Sequence, residues 1–201
     1  MTVDQALDAA EQLTNAGRSV EAERLLLHVL AVQPNHALAL HMLAAIAGQS
    51  GRMDRALALL SRAAAQTPHD PELLYHLGLA SHMSGKYPEA IAAYDAAIAL
   101  RPEFAEAHSN RAITNLLLGN FEKGLPEYEW RRKSRFANLP SLPPGPVWDG
   151  HPPEGKTILL TAEQGLGDTI QFLRYAPLLA ASGARVLLAV QDPLMRLAAG
   201  I

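Results

Sequence analysis

Cysteine is absent from the chain, aromatic residues make up only 5% of it and charged residues 18%. Without thiols there is no disulfide framework, no cysteine nucleophile and no thiolate zinc site. Long apolar runs are missing too. A membrane helix needs about 18–20 uninterrupted apolar residues, and the nearest candidate, 176–190, is broken by Ser182, Gly183 and Arg185. The N-terminal stretch from Met1 to Leu13 has neither the basic nor the apolar region of a secretory signal. A cytoplasmic protein with no membrane span is the expectation. Charge of one sign is also scarce: 17 basic residues face 20 acidic ones, a net charge of -3. The balance holds locally, with 13 basic and 15 acidic residues over 1–136 and 4 against 5 over 137–201. Nucleic acid is therefore not an expected partner. The 8 histidines show no short metal-binding spacing, and His76 and His82, six apart, fall on different faces of a helix. No metal site is expected.

Apolar residues are plentiful instead, at 49%, and 35 of the 201 residues are alanine. That composition excludes a disordered chain. An alanine excess with few rings favours closely packed helices over a sheet core of β-branched and aromatic residues.

A period of 34 residues organises the first two thirds. Gly17, Gly51, Gly85 and Gly119 are spaced by 34, as are Pro34, Pro68 and Pro102. Small residues recur seven places before each glycine (Ala10, Ala44, Gly78, Ala112) and five places after it (Ala22, Ala56, Ala90, Gly124). A bulky residue follows at Leu26, Leu60, Tyr94 and Tyr128. Each unit reads as helix, glycine turn, helix, then a proline that cannot continue the second helix. The pattern resembles the tetratricopeptide repeat, most fully over Leu74, Leu77, Gly78, Gly85, Tyr87, Ala90, Tyr94, Ala97 and Pro102. The units are placed at 3–36, 37–70, 71–104 and 105–138. The fourth is degenerate: Arg111 replaces an apolar residue, Gly124 an alanine, Arg131 stands where Val29, Ala63 and Ala97 stand, and Pro126 interrupts the second helix.

The resemblance implies a solenoid whose first helices line a concave face that binds a protein or peptide segment. By it, the groove carries Leu7, His41, Tyr75 and Ser109 at one level, with Asp8, Met42, His76 and Asn110 beside them. Glu11, Ala45, Leu79 and Ile113 lie further along, and His41, Tyr75, His76, Leu79, His82 and Asn110 are the candidate groove residues. No lysine occupies these positions, which excludes the family's carboxylate clamp, and only Asn110 fits its asparagine ladder. The basic run Arg131, Arg132, Lys133 and Arg135 is expected at the C-terminal end of the last repeat helix, opposing its dipole.

Residues 139–156 form a proline-rich connector, in which Trp148 is expected to pack on a neighbouring domain. Gly150 to Thr157 satisfies a phosphate-loop expression, but prolines precede it and a strand follows it, so the mechanism does not apply. From 157 a strand is expected, then the loop Glu163 to Thr169, and a helix to about Ser182. The apolar face of that helix is assigned to Ile170, Leu173, Ala176, Pro177 and Leu178. A second strand is expected over 185–190. Asp168 reads as the helix N-cap, with Gln171 completing a capping box. The fold class is thus mainly α: a repeat solenoid followed by the incomplete β-α-β start of a Rossmann-like α/β domain over 157–201.

Trp148-Asp-Gly, Gly155-Lys156 and the run from Glu163 to Val186 resemble bacterial tetratricopeptide proteins carrying a glycosyltransferase-like domain. The Gly167-Asp168 pair with Pro177 also resembles the first-strand loop of the heptosyltransferase family, of GT-B fold. The resemblance implies Asp168 as the base that deprotonates an acceptor hydroxyl, with Gln164, Gly165, Gly167 and Thr169 forming the ligand loop. No cofactor is implied, and a nucleotide sugar enters only as donor substrate of a full-length domain. Since the donor half lies outside these residues, the chain is expected to be cut short and inactive as it stands. The alternatives are a pure repeat adaptor capped by the α/β remnant, and nucleotide or phosphate binding at the loop.

Overall fold

The computed structural model describes residues 1–134, 139, 144–163 and 165–201. Two compact units are present, Met1–Ala137 and Asn138–Ile201.

The first unit is four helical hairpins: α1 (Val3–Asn15) with α2 (Ser19–Val32), α3 (Ala37–Gln49) with α4 (Met53–Gln66), α5 (Pro71–Met83) with α6 (Tyr87–Leu100), and α7 (Ala105–Leu117) with α8 (Phe121–Tyr128). Each turn depends on its glycine. Gly17, Gly51, Gly85 and Gly119 take φ of 74°, 74°, 72° and 78°, a region a Cβ strongly disfavours. The residue after each glycine donates its amide to a carbonyl five positions back: Arg18 to Leu13, Arg52 to Ala47, Lys86 to Ser81 and Asn120 to Asn115. This bond satisfies a helix-end carbonyl and fixes the reversal. Helix starts are capped locally where the sequence allows it. Thr2 and Gln5 form a reciprocal capping box, and the Asp70 carboxylate accepts from the amides of Glu72 and Leu73 ahead of Pro71.

The small residues of the period are buried between the paired helices, with Ala10, Ala22, Ala90 and Ala112 at 0% exposure. Their bulky partners Leu26 and Tyr94 are equally buried. In the third unit the hairpin contact leaves no room for a methyl group: a Cβ built on Gly78 would lie 2.6 Å from the Tyr94 ring. The corresponding pairs in the first two units are Ala10 with Leu26 and Ala44 with Leu60. The larger ring is thus matched by the smaller residue opposite. The Tyr94 hydroxyl is buried with no hydrogen-bond partner among the described residues.

Both ends of the array depart from the repeat. Positions 39, 73 and 107, and likewise 46, 80 and 114, are buried against the preceding unit in repeats two to four. In the first repeat these positions are Gln5 and Gln12, both exposed. At the other end α8 has 8 residues where its counterparts have 14. Pro126 removes an amide donor, and the chain passes into a 3-10 turn over Glu129–Lys133. Gly124 lies against Leu116, 2.7 Å from where a Cβ would sit, which accounts for glycine in place of alanine. Arg111 bonds both Glu127 and Asp95. His108 bonds Glu127 at 2.7 Å and the Pro102 carbonyl at 2.8 Å, and stacks on Trp130 with centroids 4.0 Å apart. The basic run therefore lies on this turn rather than on a helical C-terminus: Arg131 and Arg132 pair with Glu129, and Lys133 sits over the Trp130 ring. Arg135 is outside the described residues.

The second unit holds two parallel strands, β1 (Thr157–Thr161) and β2 (Arg185–Ala189), with Thr157 opposite Arg185 and Thr161 opposite Ala189. They are joined through α9 (Leu166–Leu173) and α10 (Tyr175–Ala181), and α11 (Met195–Ala198) follows. The expected single helix to Ser182 is two, because Pro177 lacks the amide that would bond the Leu173 carbonyl. Its buried face is Thr169, Leu173 and Ala176, whereas Ile170 and Leu178 are 50% and 65% exposed and Pro177 is exposed. Gly165, not Asp168, occupies the N-cap of α9, so the expected capping box is not formed. Trp148 is 41% exposed, and its indole N–H donates to the His151 carbonyl three residues on. Gly155 and Lys156 lead directly into β1, in keeping with rejection of the phosphate loop.

The matched pair of Gly78 and Tyr94 sets up a size test. Gly78→Ala is expected to lower stability by about 1–3 kcal/mol through overpacking, measured by urea unfolding. Adding Tyr94→Leu to Gly78→Ala should recover most of that loss, since the double variant reproduces the pairs of the first two repeats. Tyr94→Phe alone is expected to be no less stable than the parent, as it removes a buried hydroxyl without a partner.

Candidate functional site

First helices of successive units touch one another, α1 with α3 and α5 with α7, and together form one wall of the repeat unit. Between α1 and α3 this wall holds a shallow cavity of about 220 Å³, half open to solvent and lined by Leu7, Asp8, Glu11, Thr14, Asn15, Leu38, Met42 and Ala45. Five of these, Leu7, Asp8, Glu11, Met42 and Ala45, fall on the positions the repeat assigns to the groove. Leu38 was not on that list, although it is 50% exposed and supplies apolar surface at the rim. Its only sequence signal is an uncompensated leucine at the start of an inner helix.

The residues singled out from sequence cluster further along the wall. His41 and His76 lie with ring centroids 4.8 Å apart, and His76 lies 5.2 Å from Tyr75. Burial dominates at His41 and pushes its imidazole below the ordinary 6.5, against a smaller opposing influence from Asp70 and Glu72. Tyr75 is 7% exposed and packs 5.1 Å from Phe104, so it fills space between repeats instead of facing the groove. Its hydroxyl accepts from the Asn110 amide at 3.1 Å, which fixes the orientation of Asn110. Ser109 and Leu7 are likewise buried, at 9% and 6%. His82 lies 2.8 Å from the Thr114 hydroxyl, which itself donates to the Asn110 carbonyl. His41, His76, Leu79, His82 and Asn110 are half-buried. His41, His76, Leu79 and Asn110 thus remain partly open on the first helices, whereas Tyr75 is buried and His82 is bonded across to the next repeat.

In the second unit the loop after β1 leads into α9. Gly165, Gly167 and Asp168 are exposed, whereas Thr169 is 8% exposed and donates to Gln191 at 3.0 Å. Thr169 thus ties the loop to the segment after β2 and is not available as a ligand group. Gln164 lies outside the described residues. Among the described residues no group of three or more His, Cys, Asp or Glu could hold a metal ion. No helix among them is long and apolar enough to cross a membrane.

One tetratricopeptide-repeat profile matches residues 3–71 and again 41–100, and a second TPR profile matches 82–119. Residues 3–119 belong to the tetratricopeptide-repeat family. Protein FlbA of Caulobacter vibrioides is 37% identical to this chain over 68 residues, 33% of this chain and 11% of FlbA. The chain thus spans about a tenth of the length of that curated relative. Crystal structures of MamA share the fold. MamA of strain AMB-1 is 26% identical with a TM-score of 0.59, covering 66% of this chain and 73% of that one. MamA from Desulfovibrio magneticus RS-1, residue 41 to the end, is 23% identical with a TM-score of 0.61 over 67% and 78% of the two chains. Both tetratricopeptide profiles stop before the second unit. The glycosyltransferase resemblance therefore gains no support from them, and a two-stranded sheet does not establish a Rossmann-like domain.

The low affinity of buried His41 for protons gives a pH dependence with a definite sign. The unfolded chain binds a proton at this residue near pH 6.5 and the folded chain does so only at lower pH. Stability is therefore lost as pH falls below about 6.5. His41→Gln is expected to flatten the fall in thermal midpoint between neutral pH and pH 5, read by circular dichroism.

Proposed function

We propose that this chain is a protein-interaction scaffold whose inner wall, formed by α1, α3, α5 and α7, binds a polypeptide segment of another protein. The observation that carries this reading is the cavity between α1 and α3, continuous in repeat position with the half-buried His41, His76, Leu79 and Asn110. A photo-crosslinking residue placed at Ala45 or Leu79 should join the chain to its partner. The same group at Leu27 or Leu100, on second helices, should not. Crosslinks confined to the second-helix positions would reverse the assignment.

A second reading places sugar transfer or nucleotide binding at the loop 163–169, with exposed Asp168 as the base. It is supported by the position of that loop at the carboxyl end of β1, beside a parallel strand. Titration of the chain with a nucleoside diphosphate and with a nucleotide sugar should give heat if it holds. A flat calorimetric trace for both ends it.

A further inference from the structure

Charge is partitioned across the repeats. α1, α3 and α5 contain Asp4, Asp8, Glu11 and Glu72 and no lysine or arginine. The cations of these repeats sit on the turns, second helices and their ends, at Arg18, Arg24, Arg52, Arg55, Arg62, Lys86 and Arg101. Several are held there by acids: Arg52 and Arg55 by Glu23, and Arg18 by Glu21. Glu72 is likewise engaged, by Arg101 at 2.6 Å. Asp8 and Glu11 differ from these. Both are exposed, neither forms an ion pair or side-chain hydrogen bond among the described residues, and both line the cavity beside Leu7, Leu38 and Met42.

The ordinary reason for acids on a helix is the dipole at its N-terminus, and it accounts for Asp4 in the first turn. It does not reach Glu11, in the third turn. The exposed end of the array also needs polar residues, and Gln5 and Gln12 supply them without charge. We infer that the cavity between α1 and α3 accepts a cationic polypeptide segment, one apolar side chain entering against Leu7, Leu38 and Met42 while flanking lysine or arginine residues meet Asp8 and Glu11. The assignment rests on the scaffold reading above and narrows it to a partner class. An apolar floor supplies affinity, and a rim of one sign, with no cation on the neighbouring inner helices, selects against acidic segments.

The test uses the full chain and three capped peptides of one length: repeating Leu-Lys-Gly, and its counterparts with serine or glutamate for lysine. Amide chemical shifts report where each binds and how tightly. The Leu-Lys-Gly peptide should shift Leu7, Leu38, Met42 and Ala45, bind about tenfold more tightly than the serine peptide, and weaken as salt is raised. Asp8→Lys with Glu11→Lys should cost it about tenfold in affinity. Asp54→Lys with Glu89→Lys, the same charge change on second helices, should leave affinity within about twofold. Asp8→Asn with Glu11→Gln gives a milder loss in the same direction and guards against misfolding of the reversed variant. Equal binding of the lysine and serine peptides at these residues would overturn the cationic assignment and leave the scaffold reading standing. Equal losses in the two charge-reversed variants would overturn it as an effect of net charge. Shifts confined to residues away from the inner wall, for all three peptides, would overturn both.

Discussion

Everything in the repeat unit depends on how closely the two helices of each hairpin approach. Residues sixteen apart set that distance, and their sizes trade off. Alanine faces leucine in the first two units, and glycine faces tyrosine in the third, where the ring leaves no room for a methyl group. In these three units the larger side chain meets the smaller residue, while the degenerate fourth unit sets Ala112 opposite Tyr128. The glycine turn is the second half of this constraint, because a hairpin of fixed width also needs a fixed reversal.

A stacked array then has to end. In the first repeat glutamines at 5 and 12 stand where buried alanine, leucine, isoleucine or threonine stands in later repeats. At the C-terminus the solution is reconstruction. Pro126 shortens α8, the chain folds back as a 3-10 turn, and His108, Arg111, Glu127 and Trp130 make a bonded and stacked cluster where another repeat would have given apolar cover. Such a cluster is directional, so it fixes the path of the chain out of the repeats more narrowly than apolar contact alone.

The parts of this fold that were legible in the sequence are those where the backbone leaves no choice. A positive φ admits glycine far more readily than other residues, and a helix stops at a proline it cannot accommodate, so both left marks at constant spacing. The groove was less legible because a repeat position has no fixed exposure. Position 41 is half-buried while 7, 75 and 109 are buried, and at 75 the Phe104 ring packs against the side chain. The reading of α9 failed for a related reason. Asp168 with Gln171 satisfies a capping pattern, but the N-cap is Gly165, three residues earlier. Thr169 rather than Ile170 then faces inward, and the supposed ligand threonine becomes a tie to Gln191.

The two units also differ in what their exposed groups mean. On the repeats, exposed Asp8 and Glu11 border a cavity in a wall whose backbone bonds are complete, so their lack of partners is a property of a finished surface. In the second unit the exposed residues are of the opposite kind. Leu159 and Leu187 are cross-strand partners at 41% and 44% exposure, while Ile158 beneath them is 9% exposed. A parallel sheet is normally covered on both faces, and here the helices of the unit cover one. Uncovered leucines on a sheet face report a packing requirement, whereas the acids around the apolar floor are groups for which the fold shows no packing role, and the ligand preference proposed for them rests on that difference. The proposed scaffold role is therefore placed on the repeats, where exposure of polar groups costs the fold little.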